Sequence, residues 1–235
     1  MTTAPKQENP FLSLLLNIVI PSMILMKLSN EENLGPVIGL LVALSFPLAY
    51  GIYDFIDRKK INFISILGLI SILLTGVFTL VKLAPHWIAI KEASVPTIIG
   101  AAILLSLKTE FPLVKKLLVN DTILNLDLIH EKLALKSNEL AFDRLLVKAS
   151  YLLASSFFLS AALNYGLAKY LLVAEPGSTQ FNEQLGQMTA LSWPVIVLPS
   201  MAVMMFALFR LISGIKQLTD LELEQILKSQ PKTDK

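Results

Sequence analysis

The stretch "HWIAIKEASVPTIIGAAILLSLK", His86 to Lys108, decides how many times this chain can cross a membrane. Its uncharged part, Ala93 to Leu107, has 15 residues, whereas a helix needs about 20 apolar residues to cross a hydrocarbon core of ~30 Å. Either the segment stays on one side, or Lys91 and Glu92 lie inside a span.

Five other uncharged runs reach spanning length: Asn9 to Met26, Gly35 to Tyr53, Ile61 to Val81, Ala149 to Ala168 and Gln184 to Phe209. Each can cross as a helix, which satisfies its backbone polar groups internally. The composition agrees with that reading. Of 235 residues, 54% are hydrophobic and 16% charged, and the mean hydropathy is +0.64, far from the roughly 25% charged residues of a soluble domain. There is no cysteine, which excludes disulfides and thiolate metal sites. The net charge of +2 implies no polyanionic partner such as nucleic acid. The polar start "MTTAPKQENP" is followed by no small-residue cleavage site, so the first run reads as a retained span.

Lys and Arg placement resolves the doubtful segment, because cytoplasmic loops keep an excess of positive charge near span ends. With six crossings, sixteen of the 20 Lys and Arg residues fall on one side, and Lys27, Lys82, Lys91 and Lys169 on the other. With five, the "DRKK" loop and the linker from Lys108 to Lys148 face opposite sides and the asymmetry is lost. The expectation is therefore an all-α polytopic membrane protein with six transmembrane helices, at about 10–28, 35–56, 61–81, 87–107, 148–172 and 188–212. Both termini, 1–9 and 220–235, are expected in the cytoplasm as tails, the second fraying after a short helix. The linker 108–147 carries Leu113, Val114, Leu117 and Leu118 around Lys115 and Lys116, then Leu133, Leu140 and Leu145. That pattern reads as amphipathic helix lying in the membrane surface. The outer loops "KLSNEEN", "KLAPH" and "EPGSTQFNEQLGQ" are too short to be folded domains.

In this topology Lys91 lies ~6 Å below the outer boundary, within snorkelling reach of the headgroups, and Trp87 is the interfacial anchor. Adjacent helical positions point about 100° apart. Lys91 is therefore expected to reach outward, and Glu92 to turn inward to Lys169 or, second, Lys27. The other intramembrane polar candidates are Asn17, Asn164 and Asp54. The amides read as interhelical hydrogen-bond groups or as the lining of a solute path, and Asp54 as an i,i+4 partner of Arg58. Pro21, Pro47, Pro96, Pro194 and Pro199 fall inside spans and bend them. A faint echo, "IPSMI" at Ile20 against "VPTII" at Val95, would suit an inverted repeat, but matches of this length arise by chance. His86 and His130 fall on opposite sides of the membrane and cannot share a metal. No nucleophile, metalloprotease or phosphate-loop motif occurs, so neither catalysis nor a cofactor is expected.

The segments "YGIYDFIDRKKINFISILGLI", "GVFTLVKLAPHWIAIKEASVPTIIGAAILLSL", "FPLVKKLL" and "FFLSAALNYGLAKYLL" resemble the bacterial intracellular septation protein A family and a related group of small membrane proteins. The matching positions are Arg58 to Lys60, Gly76, Thr79, Trp87, Lys91, Pro112, Leu113, Lys116 and Asn164–Tyr165. The linker Asn120 to Asp143 and the tails are longer than the family's. The resemblance implies a non-enzymatic protein of the bacterial inner membrane that supports envelope maintenance or septation. Its partners would be the lipid bilayer and other envelope or division proteins, with self-association open. The residues by themselves leave an alternative, a small permease or ion-coupled transporter. A contact protein needs no intramembrane cavity, whereas a transporter needs one near the midplane.

Overall fold

The computed structural model describes residues 10–58, 63–109, 113–114, 118–119 and 124–228. The described residues are helical apart from loops and one isolated bridge, Leu124 to Leu227. We number the helices α1 (Phe11–Leu28), α2 (Gly35–Arg58), α3 (Phe63–Leu80), α4 (Pro85–Ser106), α5 (Leu126–Leu135), α6 (Glu139–Leu171), α7 (Thr179–Thr219) and α8 (Leu223–Ile226).

Five of them, α1, α2, α4, α6 and α7, carry segments long and apolar enough to cross a membrane, which fits a multi-pass integral membrane protein. The expected span 61–81 falls on α3. Its stretch Ile70–Leu80 is a shorter apolar helix, and the side chains before Ile70 lie outside the described residues.

Two helices are not uniformly α-helical. α1 contains π-turns at Leu15–Val19 and Ile24–Leu28, and α7 contains one at Trp193–Val197. A proline ring collides with the carbonyl four residues before it and supplies no N–H. For Pro21 that carbonyl belongs to Asn17, and for Pro199 to Val195. Both fall inside a π-turn, whose wider ladder relieves the clash.

The chain divides into two compact units, Met1–Val95 with Ala161–Val197, and Pro96–Ser160 with Leu198–Lys235. The first has a core of Ile24, Leu25, Leu40, Ile88, Leu167, Phe181 and Leu185 among others. Glycine permits its close approaches. A Cβ on Gly39 would collide with Ser29, and one on Gly186 would lie 2.9 Å from the Ser22 carbonyl oxygen on α1. The N-terminal end of α7 belongs to this core. Ser178 caps the helix by accepting from Phe181 N at 3.1 Å, and buried Asn182 donates Nδ2 to the Pro36 carbonyl at 2.6 Å. Helix thus begins at Thr179, well before the expected 188, because a serine cap and apolar residues at 181, 185 and 188 form a helical face.

The second unit corrects the expected surface linker. Ile129 and Leu133 of α5 are fully buried, together with Val114, Leu124, Phe142, Leu146, Leu211, Ile215 and Ile226. The apolar face of the linker is therefore covered by protein, not by the membrane surface. Leu135, Leu140 and Val147 are exposed. Residues from Glu139 already belong to α6, so this helix starts before the expected 148. Lys115 to Leu117 lie outside the described residues. The short helix expected in the tail is present as α8, and it packs against the unit. Leu221 and Ile226 are buried, Glu222 and Gln225 form a capping box on α8, and Asn125 N donates to the Ile226 carbonyl at 2.8 Å. Residues 229–235 of the expected tail are outside the described residues.

Candidate functional site: a cavity beside Glu92 in the first unit

Ser71, Thr75 and Thr79 recur every four residues on α3 and so share one face. Thr75 Oγ1 donates to the Ser71 carbonyl at 3.0 Å, and Thr79 Oγ1 to the Thr75 carbonyl at 2.9 Å. With its proton committed along its own helix, the Thr75 hydroxyl presents lone pairs outward. α4 lays Lys91 against this face. The Lys91 ammonium donates to Ser71 O at 3.1 Å, Ser71 Oγ at 3.1 Å and Thr75 Oγ1 at 2.6 Å, and lies 2.6 Å from Glu92 Oε1.

Lys91 is 8% exposed and Glu92 24%. Snorkelling is thereby overturned: Lys91 turns into the unit, and its partner is Glu92 itself. The 100° between neighbouring positions did not prevent this, since the lysine stem is long and flexible enough to curl back. A charge in a membrane span is tolerated when it is paired and hydrogen-bonded. Four oxygens, one of them charged, meet that condition for an ammonium with three donors. Lys27 and Lys169 are exposed, and neither pairs with Glu92.

Glu92 stands on the wall of a cavity of ≈ 470 Å³. α1 lines it with Asn17 and Pro21, α2 with Pro47, Tyr50 and Gly51, α3 with Ser71 and Thr75, and α7 with Met188, Thr189 and Ser192. Ser71 and Asn17 lie midway along their uncharged runs. Thr189 Oγ1 donates to the Leu185 carbonyl at 2.9 Å and Ser192 Oγ to the Met188 carbonyl at 2.7 Å. Asn17 donates Nδ2 to Ser13 Oγ at 3.2 Å. The two hydroxyl protons are committed, so Thr189 and Ser192 offer acceptors, while Asn17 offers its carbonyl oxygen and its second amide hydrogen. A carboxylate has about four acceptor positions, and the ammonium occupies one at Oε1. The cavity wall is mostly apolar and gathers its hydrogen-bond acceptors around Glu92, with Tyr50 and the second Asn17 N–H available as donors.

Of the residues singled out in the sequence, the cavity brings together Asn17 and Glu92, with Lys91 behind the latter. Asn164 is half-buried on α6 and does not line the cavity. The side chain of Asp54, on α2, lies outside the described residues. Among the described residues no group of His, Asp and Glu could hold a metal.

No family model matches the chain, and neither a curated protein nor a solved structure matches it. The cavity therefore has to be read from its own chemistry.

The sequence reading passed over Ser71, Thr75, Tyr50, Thr189 and Ser192. The 71–75–79 spacing carried a signal: three hydroxyls in line within an apolar helix offer a polar face, and a buried lysine is a fitting partner for it.

Proposed function

We propose that this protein is a six-span carrier of the bacterial inner membrane, non-enzymatic and with cytoplasmic termini, that holds a small hydrogen-bond-donating solute of the amine class in the cavity beside Glu92. The observation that carries this reading is the Glu92 carboxylate at the wall of an intramembrane cavity. A protein serving only as a contact partner would need no such space, so the cavity favours transport over the envelope-support role implied by the resemblance. Lys91 neutralises part of the carboxylate charge, which leaves a chamber with its acceptors gathered around Glu92 and without a large net field. Neutral or singly charged donors suit such a chamber, and anions do not.

The test is a thermal-shift titration in detergent with methylammonium and ethanolamine as probes and acetate as the anionic control. The amines are expected to raise Tm in the natural protein and to lose that effect in Glu92→Gln, with acetate inert in both. An equal shift in Glu92→Gln, or a shift from acetate alone, would overturn the reading. Uptake of labelled methylammonium into proteoliposomes then separates carriage from binding.

A further inference from the structure

We infer that the second unit carries a binding groove for an anionic phospholipid, with its phosphate held between Lys148 of α6 and Arg210 of α7. The groove, ≈ 380 Å³, is lined by these two cations with Tyr151, Leu152, Phe206 and Leu211. It is separate from the cavity beside Glu92 and does not depend on the carrier reading.

The sequence sets its expected depth. Lys148 is the residue immediately before the uncharged run Ala149 to Ala168, and Arg210 the residue immediately after the run Gln184 to Phe209. Both cations therefore stand at the hydrocarbon edge on the side that carries most of the positive charge, and the structure brings them to one groove. Each is followed toward the membrane interior by an aromatic on the same helical face, Tyr151 three residues from Lys148 and Phe206 four residues from Arg210. Tyr151 is 58% and Phe206 52% exposed. A cation at headgroup depth above an exposed aromatic, on each of two helices, fits a lipid phosphate with its acyl chain lying below.

The other lysines nearby show what an occupied cation looks like here. Lys136 pairs with Asp220, and Lys216 with Glu222. Among the described residues, neither Lys148 nor Arg210 has an acidic partner, although Asp143 and Glu139 lie on the same helix. Both therefore line the groove without a carboxylate to neutralise them, and an anion from outside the chain complements them.

The occupant is a lipid and not free phosphate, because most of the lining is apolar and exposed at the depth of acyl chains. Binding is read by native mass spectrometry and by thermal shift on the whole protein in detergent, with phosphatidylglycerol, phosphatidylcholine and inorganic phosphate as probes. Phosphatidylglycerol is expected to bind and stabilise, and the other two to do neither. In Lys148→Gln/Arg210→Gln its affinity should fall about 30-fold, the effect expected for two surface cations. The charge-preserving Lys148→Arg/Arg210→Lys should retain most of it, which separates lost recognition from lost folding. Equal binding of phosphatidylcholine, a matching effect of phosphate alone, or undiminished phosphatidylglycerol binding by the glutamine variant would each overturn the assignment.

Discussion

The Lys91 ammonium lies 2.6 Å from the carboxylate of Glu92, its own neighbour in sequence, and donates at the same time to Ser71 and Thr75 on α3. One side chain thus ties α4 to α3 and fixes the carboxylate that faces the cavity. Loss of either charge leaves the other without its counter-charge, at a cost below the ~3–5 kcal/mol of a fully buried pair, because Lys91 keeps Ser71 and Thr75 and Glu92 faces the cavity. Lys91→Met and Glu92→Gln should each lower Tm in detergent, and the double change should lower it by much less than the two losses added. Strict additivity in that cycle would show that the pair is not coupled.

Whether α3 crosses the membrane is decided by the two loops at its ends. Positive charge before it, in "DRKK", and the sparse charge after it are expected to put these loops on opposite sides if α3 crosses. Single cysteines at Arg58 and Ala84, introduced into this cysteine-free chain, should react with an impermeant thiol reagent from opposite sides of sealed vesicles. Reaction from the same side would remove one span and reverse the sidedness of everything after it.

The spans were legible because length and apolarity are one-dimensional properties: Gly35–Arg58 and Pro85–Ser106 lie within two residues of the expected 35–56 and 87–107. The early starts of α6 at Glu139 and α7 at Thr179 were not, because these stretches are amphipathic and bury their apolar faces against protein, which a search for uncharged runs does not see. The same cause hid the fold of the linker. Leu133 recurs at helical spacing whether a membrane or a core covers it, and Ile226, buried at 0% exposure, gives no sign in a charged tail. At the cavity, Glu92 and Asn17 stood out as costly residues in lipid. The hydroxyls did not, since Ser and Thr satisfy themselves on their own helix carbonyls and are common in spans. The direction of Lys91 depended on that overlooked hydroxyl face.

Gly186 sets how closely α7 approaches α1, next to the cavity residues Leu185 and Met188. A side chain there meets the Ser22 carbonyl and Leu25 Cβ, at 2.9 and 3.0 Å from the Cβ position alone. These are a backbone atom and the base of a side chain, which yield little. Gly186→Leu should destabilise by about 1–3 kcal/mol through overpacking and should weaken any ligand-induced Tm shift. Gly166, where a Cβ would have nothing within 4 Å, is the matched control: Gly166→Ala should be neutral or slightly stabilising. A wild-type Tm for Gly186→Leu would mean that α1 and α7 are not in contact there.

The segment Leu221 to Leu227 should behave as part of the second unit's core. Ile226 is fully buried beside Leu124, Ile129 and Leu133, and its carbonyl accepts from Asn125 N at 2.8 Å. Ile226→Ala removes buried methyl and methylene groups and leaves a cavity, a change that costs about 2–5 kcal/mol in a close-packed site. A stop after Asp220 should cost more, because it also opens the Leu124 to Leu227 bridge and strips the cover from α5. Limited proteolysis is the direct measurement. The natural protein should resist cleavage across 124–138, and the truncated one should be cut there first. Equal resistance in both would show that α5 holds its place without the C-terminal segment, and the tail would then be an appendage after all.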